Sequence, residues 1–126
     1  MKIQMKILKT ASLVLMSALA GQVSAGHAEI YPVFIEHLSV IAIPSGGHLA
    51  GNFEVKIKGG FSLSNGVICD PNYITTLKSV DIDKRLFSLL TVAHSTKQAV
   101  QLRITDDPNF TAFAGRCSLV WVNLIQ

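Results

Sequence analysis

Apolar and polar residues alternate along two segments in the first half of the chain. The segment 29–43, EIYPVFIEHLSVIAI, is rich in β-branched and aromatic residues and ends at a Pro-Ser-Gly-Gly turn, so it predicts one long strand. In the segment 49–58, the apolar residues Phe53, Val55 and Ile57 alternate with charged residues. This pattern predicts a half-buried strand that pairs antiparallel with the first.

Three further segments, 73–77, 99–105 and 116–126, have the composition of strands. The segment AVQLRIT at 99–105 has the clearest alternation. Its apolar positions predict an inward face, and Gln101, Arg103 and the threonine that follows them predict an outward face.

A single amphipathic helix is predicted between the third and fourth strands. Leu86, Leu89, Leu90 and Ala93 have the spacing i, i+3, i+4, i+7, which places them on one apolar stripe over about three turns. Asp81 or Asp83 precedes this stripe and is expected to cap the first turn, and His94 ends the helix.

Five or six short strands with one helix predict a mainly β domain. The expected fold is a small antiparallel barrel or a curled sheet, with the helix covering one end or face. The last strand is apolar on both faces, and Leu119 and Trp121 share one of them. Such a strand needs a second cover, which the helix or another subunit would supply. Trp121 is expected in the core, and an exposed platform for a sugar is the alternative.

The first 25 residues have the three parts of a secretory signal peptide. Three lysines precede an apolar run at about 11–20, and the segment ends in Val23-Ser24-Ala25, so cleavage is expected after Ala25. The apolar run is too short to cross a bilayer, which takes about 20 helical residues. The expected product is a single domain, 26–126, that is secreted or periplasmic and is not inserted in a membrane.

The net charge of +3 comes from this leader. Three of the eleven basic residues lie within it, and the eight that remain balance the eight carboxylates. The domain therefore lacks the positive field that attracts nucleic acid or an anionic membrane surface, and neither partner is expected.

Cys69 and Cys117 are the only two cysteines. In an oxidising compartment they are expected to form a disulfide, because a metal site would need more ligands at short spacing and a redox pair usually has Cys-x-x-Cys spacing.

The sequence contains no arrangement typical of catalysis. The four histidines have no metal-ligand spacing, no serine lies in a Gly-x-Ser-x-Gly elbow, and the glycine pairs do not open a helix. No catalytic residue, metal or cofactor is therefore expected, and the chain is not expected to be an enzyme.

The polar residues left for recognition lie on the outward face of 99–105 and in the turn that follows. Structural alternatives exist for three of these residues, since Arg103 could simply pair with a carboxylate and the adjacent aspartates could cap the turn. The expected ligand-binding residues are Gln101, Arg103, Asp106, Asp107 and Asn109.

The order of elements from 68 to 122 resembles a group of small secreted bacterial proteins. A short strand with Cys69 is followed by Tyr73-Ile-Thr-Thr-Leu, a Leu-Leu-x-x-Ala helix, a polar corner and a Gly-Arg-Cys strand. This layout is similar to the B subunits of AB5 toxins of the subtilase-cytotoxin and pertussis-like kind. The resemblance implies an oligonucleotide/oligosaccharide-binding (OB) barrel with one helix, glycan binding and assembly as rings of five.

Two functions follow as hypotheses. The first is a non-catalytic secreted binding module for a glycan or a protein, toxin B-subunit-like in layout. This hypothesis includes assembly as a homo-oligomer. The alternative is a periplasmic inhibitor or accessory protein that makes protein–protein contacts through the loop from Thr105 to Asn109.

Overall fold

The fold consists of six strands and one helix within the part of the chain that the structure describes. That structure is a computed structural model, and it describes residues 26–63 and 66–125, so the expected leader lies outside the described residues. The mainly β fold with one helix is confirmed. The strands are β1 (His27–Val33), β2 (Ile35–Val40), β3 (Phe53–Ile57), β4 (Tyr73–Thr76), β5 (Val100–Thr105) and β6 (Ser118–Leu124), and the helix is α1 (Arg85–Thr96).

The strands form two antiparallel sheets of three, in the orders β1-β5-β6 and β2-β3-β4. In the first sheet Ile30 pairs with Leu102, and in the second Val55 pairs with Ile74. These side chains are buried because successive residues of a strand point to opposite faces and the apolar set of each sheet points inward.

The predicted first strand, 29–43, is two strands rather than one. β1 belongs to one sheet and β2 to the other, with only Phe34 between them. β1 also contains a bulge between Ile30 and Val33, and Pro32 lies within it, where its missing N–H removes no regular ladder bond. The bend lets one run of sequence serve both sheets.

The two sheets also meet at the opposite side, where β4 approaches the start of β6. A single parallel bridge joins Ile74 to Cys117, and the N–H of Thr75 donates to the Cys117 carbonyl oxygen at 3.0 Å. Regular pairing goes no further there, so the described residues form a curled pair of sheets and no closed barrel.

The predicted disulfide between Cys69 and Cys117 is present. The short strand expected around Cys69 is wrong, however, because this segment has no ladder partner among the described residues. It is attached through side chains instead: Ile68 donates its N–H to the Asp106 carboxylate at 3.1 Å, and Cys69 is covalently linked to the start of the last strand.

Helix α1 packs against β2 and β6, one strand from each sheet, and so covers one face of the fold as expected. The outer face of β6 is not covered, since Val120 and Trp121 are exposed. Leu90 and Ala93 are buried, as predicted, but Leu89 is 39% exposed. The apolar stripe is rotated towards Phe87, which is half-buried and packs edge-on against the Phe53 ring with 5.6 Å between the two ring centres. Leu89 is left at the margin of the stripe.

Asp81 caps the helix from outside it. Its carboxylate accepts hydrogen bonds from the N–H groups of Leu86 and Phe87, both at 3.0 Å, and this satisfies two donors of the first turn. At the other end Lys97 adopts a left-handed conformation (φ 55°) that is normally favourable for glycine, and the N–H of Gln98 bonds back to Ala93 at 3.0 Å.

Candidate functional site

The outer face of the β1-β5-β6 sheet brings a row of polar side chains together with an aromatic ring. Glu29, Arg103 and Trp121 are register neighbours across the three strands, and Gln101 pairs with Asn123 one step along. We call these five residues the tryptophan face.

The position of Trp121 shows that the expectation of a core tryptophan is wrong. The pairing of β5 with β6 shifts between Arg103 and Ile104, and this leaves Val120 as an extra residue. A bulge of this kind reverses the inward and outward alternation along the strand. Leu119 is therefore fully buried, whereas the Trp121 side chain lies outside and is 38% exposed.

Hydrogen bonds connect the polar members of the tryptophan face. Arg103 donates from Nε to Oε1 of Glu29 at 3.1 Å and also from Nη2 to the same oxygen. Gln101 donates from Nε2 to the other Glu29 oxygen at 3.2 Å, and Asn123 reaches Gln101 Oε1 at 3.5 Å. The row of side chains is therefore oriented before any ligand binds.

The electrostatics of the face keep the Glu29 carboxylate ionised. Its hydrogen bond with Arg103, and then the positive charge of that residue, hold the pKa of Glu29 below its ordinary value. The Arg103 guanidinium carbon also lies 5.7 Å from the centre of the Trp121 ring, which is within cation–π range. An acidic acceptor, a cation and an indole thus lie side by side on one exposed surface.

The structure separates the five predicted binding residues into two groups. Gln101 and Arg103 lie on the tryptophan face. The Asp106 carboxylate accepts the N–H of Gly26 at 2.8 Å, and the Asp107 carboxylate accepts the N–H of Asn109 at 2.9 Å. Asp107 therefore stabilises the turn, the role that the sequence offered as its alternative. The Asp106 carboxylate instead ties Gly26 and Ile68, two distant parts of the chain, to the end of β5.

A second polar cluster, which the sequence analysis missed, lies on the outer side of the β2-β3-β4 sheet. Glu54 Oε2 accepts from Thr75 Oγ1 and from Arg116 Nη1, both at 2.8 Å, and lies 3.5 Å from His48 Nε2. The Arg116 guanidinium carbon lies 4.8 Å from the centre of the Tyr73 ring. We call these five residues the covered cluster. From the sequence, only the alternation at 53–57 indicates that Glu54 faces outward. The other members of the covered cluster come from distant loops and strands, so no local pattern groups them with Glu54.

Comparisons with known proteins gave no relative for this chain. No family model, no curated protein and no solved structure matches it.

Within 26–63 and 66–125, no three His, Cys, Asp or Glu side chains are grouped so that they could hold a metal ion. The one helix of that part of the chain is too short to cross a membrane.

Proposed function

We propose that this protein is a secreted, non-catalytic binding module that takes a glycan on the tryptophan face. The observation that carries the proposal is the exposed Trp121 ring beside a hydrogen-bonded row of Glu29, Gln101 and Arg103. All four side chains lie on strands, so their positions are set by the sheet rather than by a loop.

The chemistry of this surface matches that of a sugar ring. A sugar has an apolar C–H face, for which an indole offers a flat apolar partner, and a rim of hydroxyls that both donate and accept. Glu29 offers acceptors, Arg103 offers donors, and Gln101 offers both. Since these groups already orient one another, binding would cost little side-chain entropy.

The absence of catalysis is also part of the proposal. A carboxylic acid that serves as a general acid needs a raised pKa, whereas the neighbouring arginine lowers the pKa of Glu29. Glu29 is therefore suited to accept hydrogen bonds from hydroxyls rather than to donate a proton to a leaving group.

The resemblance to toxin B subunits remains part of the same proposal. It implies glycan binding and rings of five. The described residues share its single helix and its mainly β composition, but their two sheets do not close into the barrel that the resemblance implies, and the segment with Cys69 is not a strand. Sedimentation of the secreted protein would show whether five copies associate.

A protein partner is the second candidate, and the turn after β5 favours it. This turn is braced, since Thr105 Oγ1 donates to the Gly26 carbonyl at 3.0 Å and also accepts the N–H of Asp107 at 3.1 Å. It presents Asn109 and Phe110, the latter 46% exposed. A rigid loop with an exposed aromatic residue suits an inhibitor or accessory protein.

A glycan array tests the leading proposal and separates it from the second. We expect the wild-type domain to bind a defined set of glycans, and we expect Trp121→Ala and Arg103→Ala to lose that binding. Phe110→Ala is the matched control, because it removes an exposed aromatic ring from the turn rather than from the tryptophan face. Loss of glycan binding in Phe110→Ala alone would place the glycan on the turn after β5 instead, and an array on which the wild-type domain binds no glycan would favour the protein partner. Unchanged binding in Trp121→Ala and Arg103→Ala would refute the tryptophan face as the site.

A further inference from the structure

A pocket lies between the hairpin that joins β2 to β3 and the turn that precedes α1. Its residues are distant along the chain from those of the tryptophan face. The hairpin is closed at its base, since Ile41 donates its N–H to the Asn52 carbonyl at 2.9 Å. Leu49, Leu77 and Ile82 form apolar walls of this open depression, which has a volume of about 360 Å³. We call it the hairpin pocket.

The hairpin pocket has an unsatisfied amide in its wall. Asn52 is 1% exposed, and both its side-chain nitrogen and its side-chain oxygen lack a hydrogen-bond partner within the described residues. Buried polar atoms in folded proteins are nearly always paired, because an unpaired one keeps the cost of desolvation without a compensating bond. A side-chain amide with a free donor and a free acceptor is matched best by a second amide, which offers one acceptor and one donor in return.

A lysine also lines the same pocket. Lys78 lines both the hairpin pocket and a smaller neighbouring pocket of about 200 Å³, and Ile82 is shared in the same way. Among the described residues neither Lys78 nor Lys84, which lines the smaller pocket, takes part in an ion pair. The nearby Asp81 carboxylate is already occupied by the first turn of α1.

Access to the amide is controlled by exposed side chains. The Lys78 stem lies close over Gly51, where its Cδ would be 2.7 Å from a Cβ at that position. The Ile82 side chain is 74% exposed. A ligand that pairs with Asn52 would therefore require Lys78 and Ile82 to change rotamer.

We propose that the hairpin pocket binds an N-acylated apolar amino acid with a free carboxylate, the chemistry of the carboxy-terminal residue of a peptide. The ligand amide pairs with the Asn52 side chain, the carboxylate binds Lys78, and the apolar side chain packs between Leu49 and Leu77. A sugar fits this pocket less well, because Asn52, Lys78 and a serine are its polar residues against largely apolar walls.

The test uses the folded domain and N-acetyl-leucine as the probe, followed by two-dimensional NMR. We expect shifts of the Asn52 side-chain amide and of Leu49 and Leu77, with a Kd of about 1 mM, as is reasonable for so small a ligand. N-acetyl-leucinamide, which lacks the carboxylate, and 4-methylpentanoate, which lacks the amide, should each bind about tenfold more weakly. A tetrapeptide ending in leucine that binds more tightly than N-acetyl-leucine would identify a peptide as the natural source, and equal binding would identify the small molecule.

Two variants make the result specific. Lys78→Gln should weaken N-acetyl-leucine about tenfold, whereas Lys58→Gln, at another exposed lysine, should not. Asn52→Leu should weaken N-acetyl-leucine about tenfold, as loss of the ligand amide does, without lowering the melting temperature, because it removes an amide that has no partner among the described residues. The proposal is overturned by an absence of shifts at about 20 mM probe, by an affinity that is unchanged in Asn52→Leu, or by a melting temperature that falls in Asn52→Leu.

Discussion

The tryptophan face and the covered cluster are built from similar chemistry but lie in different surroundings. Each contains a glutamate bound to an arginine, and each arginine lies beside an aromatic ring. The side chains of Glu29 and Arg103 are 45% and 46% exposed, whereas those of Glu54 and Arg116 are 18% and 21% exposed. The difference is one of cover rather than of residue type.

This difference determines what each group can do. In the covered cluster the Glu54 carboxylate is bound by Thr75, Arg116 and His48, so its role is to hold loops against the second sheet. On the tryptophan face the polar groups are oriented and still open to solvent, so a ligand can reach them. Exposure, together with prior orientation, therefore distinguishes the candidate binding surface from the structural cluster.

The largest expected effect on stability comes from the loss of the disulfide that anchors the covered cluster. Cys117 follows Arg116 directly and closes a loop of sequence separation 48 with Cys69. We expect Cys117→Ser to lower the free energy of unfolding by about 4 kcal/mol, as loop-closure entropy predicts. Urea denaturation of the oxidised wild type and the variant measures this. A loss of less than about 1 kcal/mol would show that the covered side does not depend on the link.

The next largest effect concerns the helix that both sheets share. Leu90→Ala should cost about 2 to 5 kcal/mol, because it leaves a cavity between α1 and the sheets. Thr91→Ala is the matched control at an exposed neighbour and should stay within about 0.5 kcal/mol. Similar small losses at both positions would mean that α1 is not packed against the sheets.

The two glutamates test the comparison itself. Glu54→Ala leaves the largely buried Arg116 and Thr75 without their acceptor, so we expect a loss of about 2 kcal/mol. Glu29→Ala removes an exposed ion pair that water already screens, so it should lower the free energy of unfolding by less than Glu54→Ala does. Thermal or urea unfolding of both variants gives the contrast, and equal losses would contradict the assignment of one cluster to structure and the other to binding.

The smallest expected effect is the dependence of stability on pH. Because the folded pKa of Glu29 lies below its ordinary value, the Glu29 interaction with Arg103 adds stability above the unfolded pKa and loses it as the pH falls through the folded pKa. In Arg103→Gln the NMR-monitored pKa of Glu29 should rise towards its ordinary value. The difference in the free energy of unfolding between wild type and Arg103→Gln should also shrink as the pH falls. A Glu29 pKa that does not change in this variant would show that the pair does not stabilise the carboxylate.

The sequence predicted the features that depend on regular local periods. The alternation at 99–105 placed Gln101 and Arg103 outward correctly, because β5 keeps its period of two up to that point. The amphipathic stripe located α1, and the number of cysteines together with the inferred export predicted the disulfide. These patterns need no knowledge of the rest of the fold.

The features that the sequence did not predict depend on irregular backbone and on distant contacts. Trp121 was assigned to the wrong face because a bulge at Val120 shifts the register by one residue, and alternation does not reveal where a bulge will form. The burial of Asn52 and the grouping of His48 with Glu54 depend on how the hairpin and loops fold over the second sheet.

Intrinsic fluorescence tests the central claim most directly, because Trp121 is the single tryptophan of the chain. A glycan that binds on the tryptophan face should change the intensity or wavelength of its emission in a saturable way, and Arg103→Ala should abolish that change. Asp107→Ala, whose carboxylate serves the turn, should leave the titration intact. Binding of an array-positive glycan, verified by calorimetry, with no change in Trp121 emission and full affinity in Arg103→Ala would contradict the account.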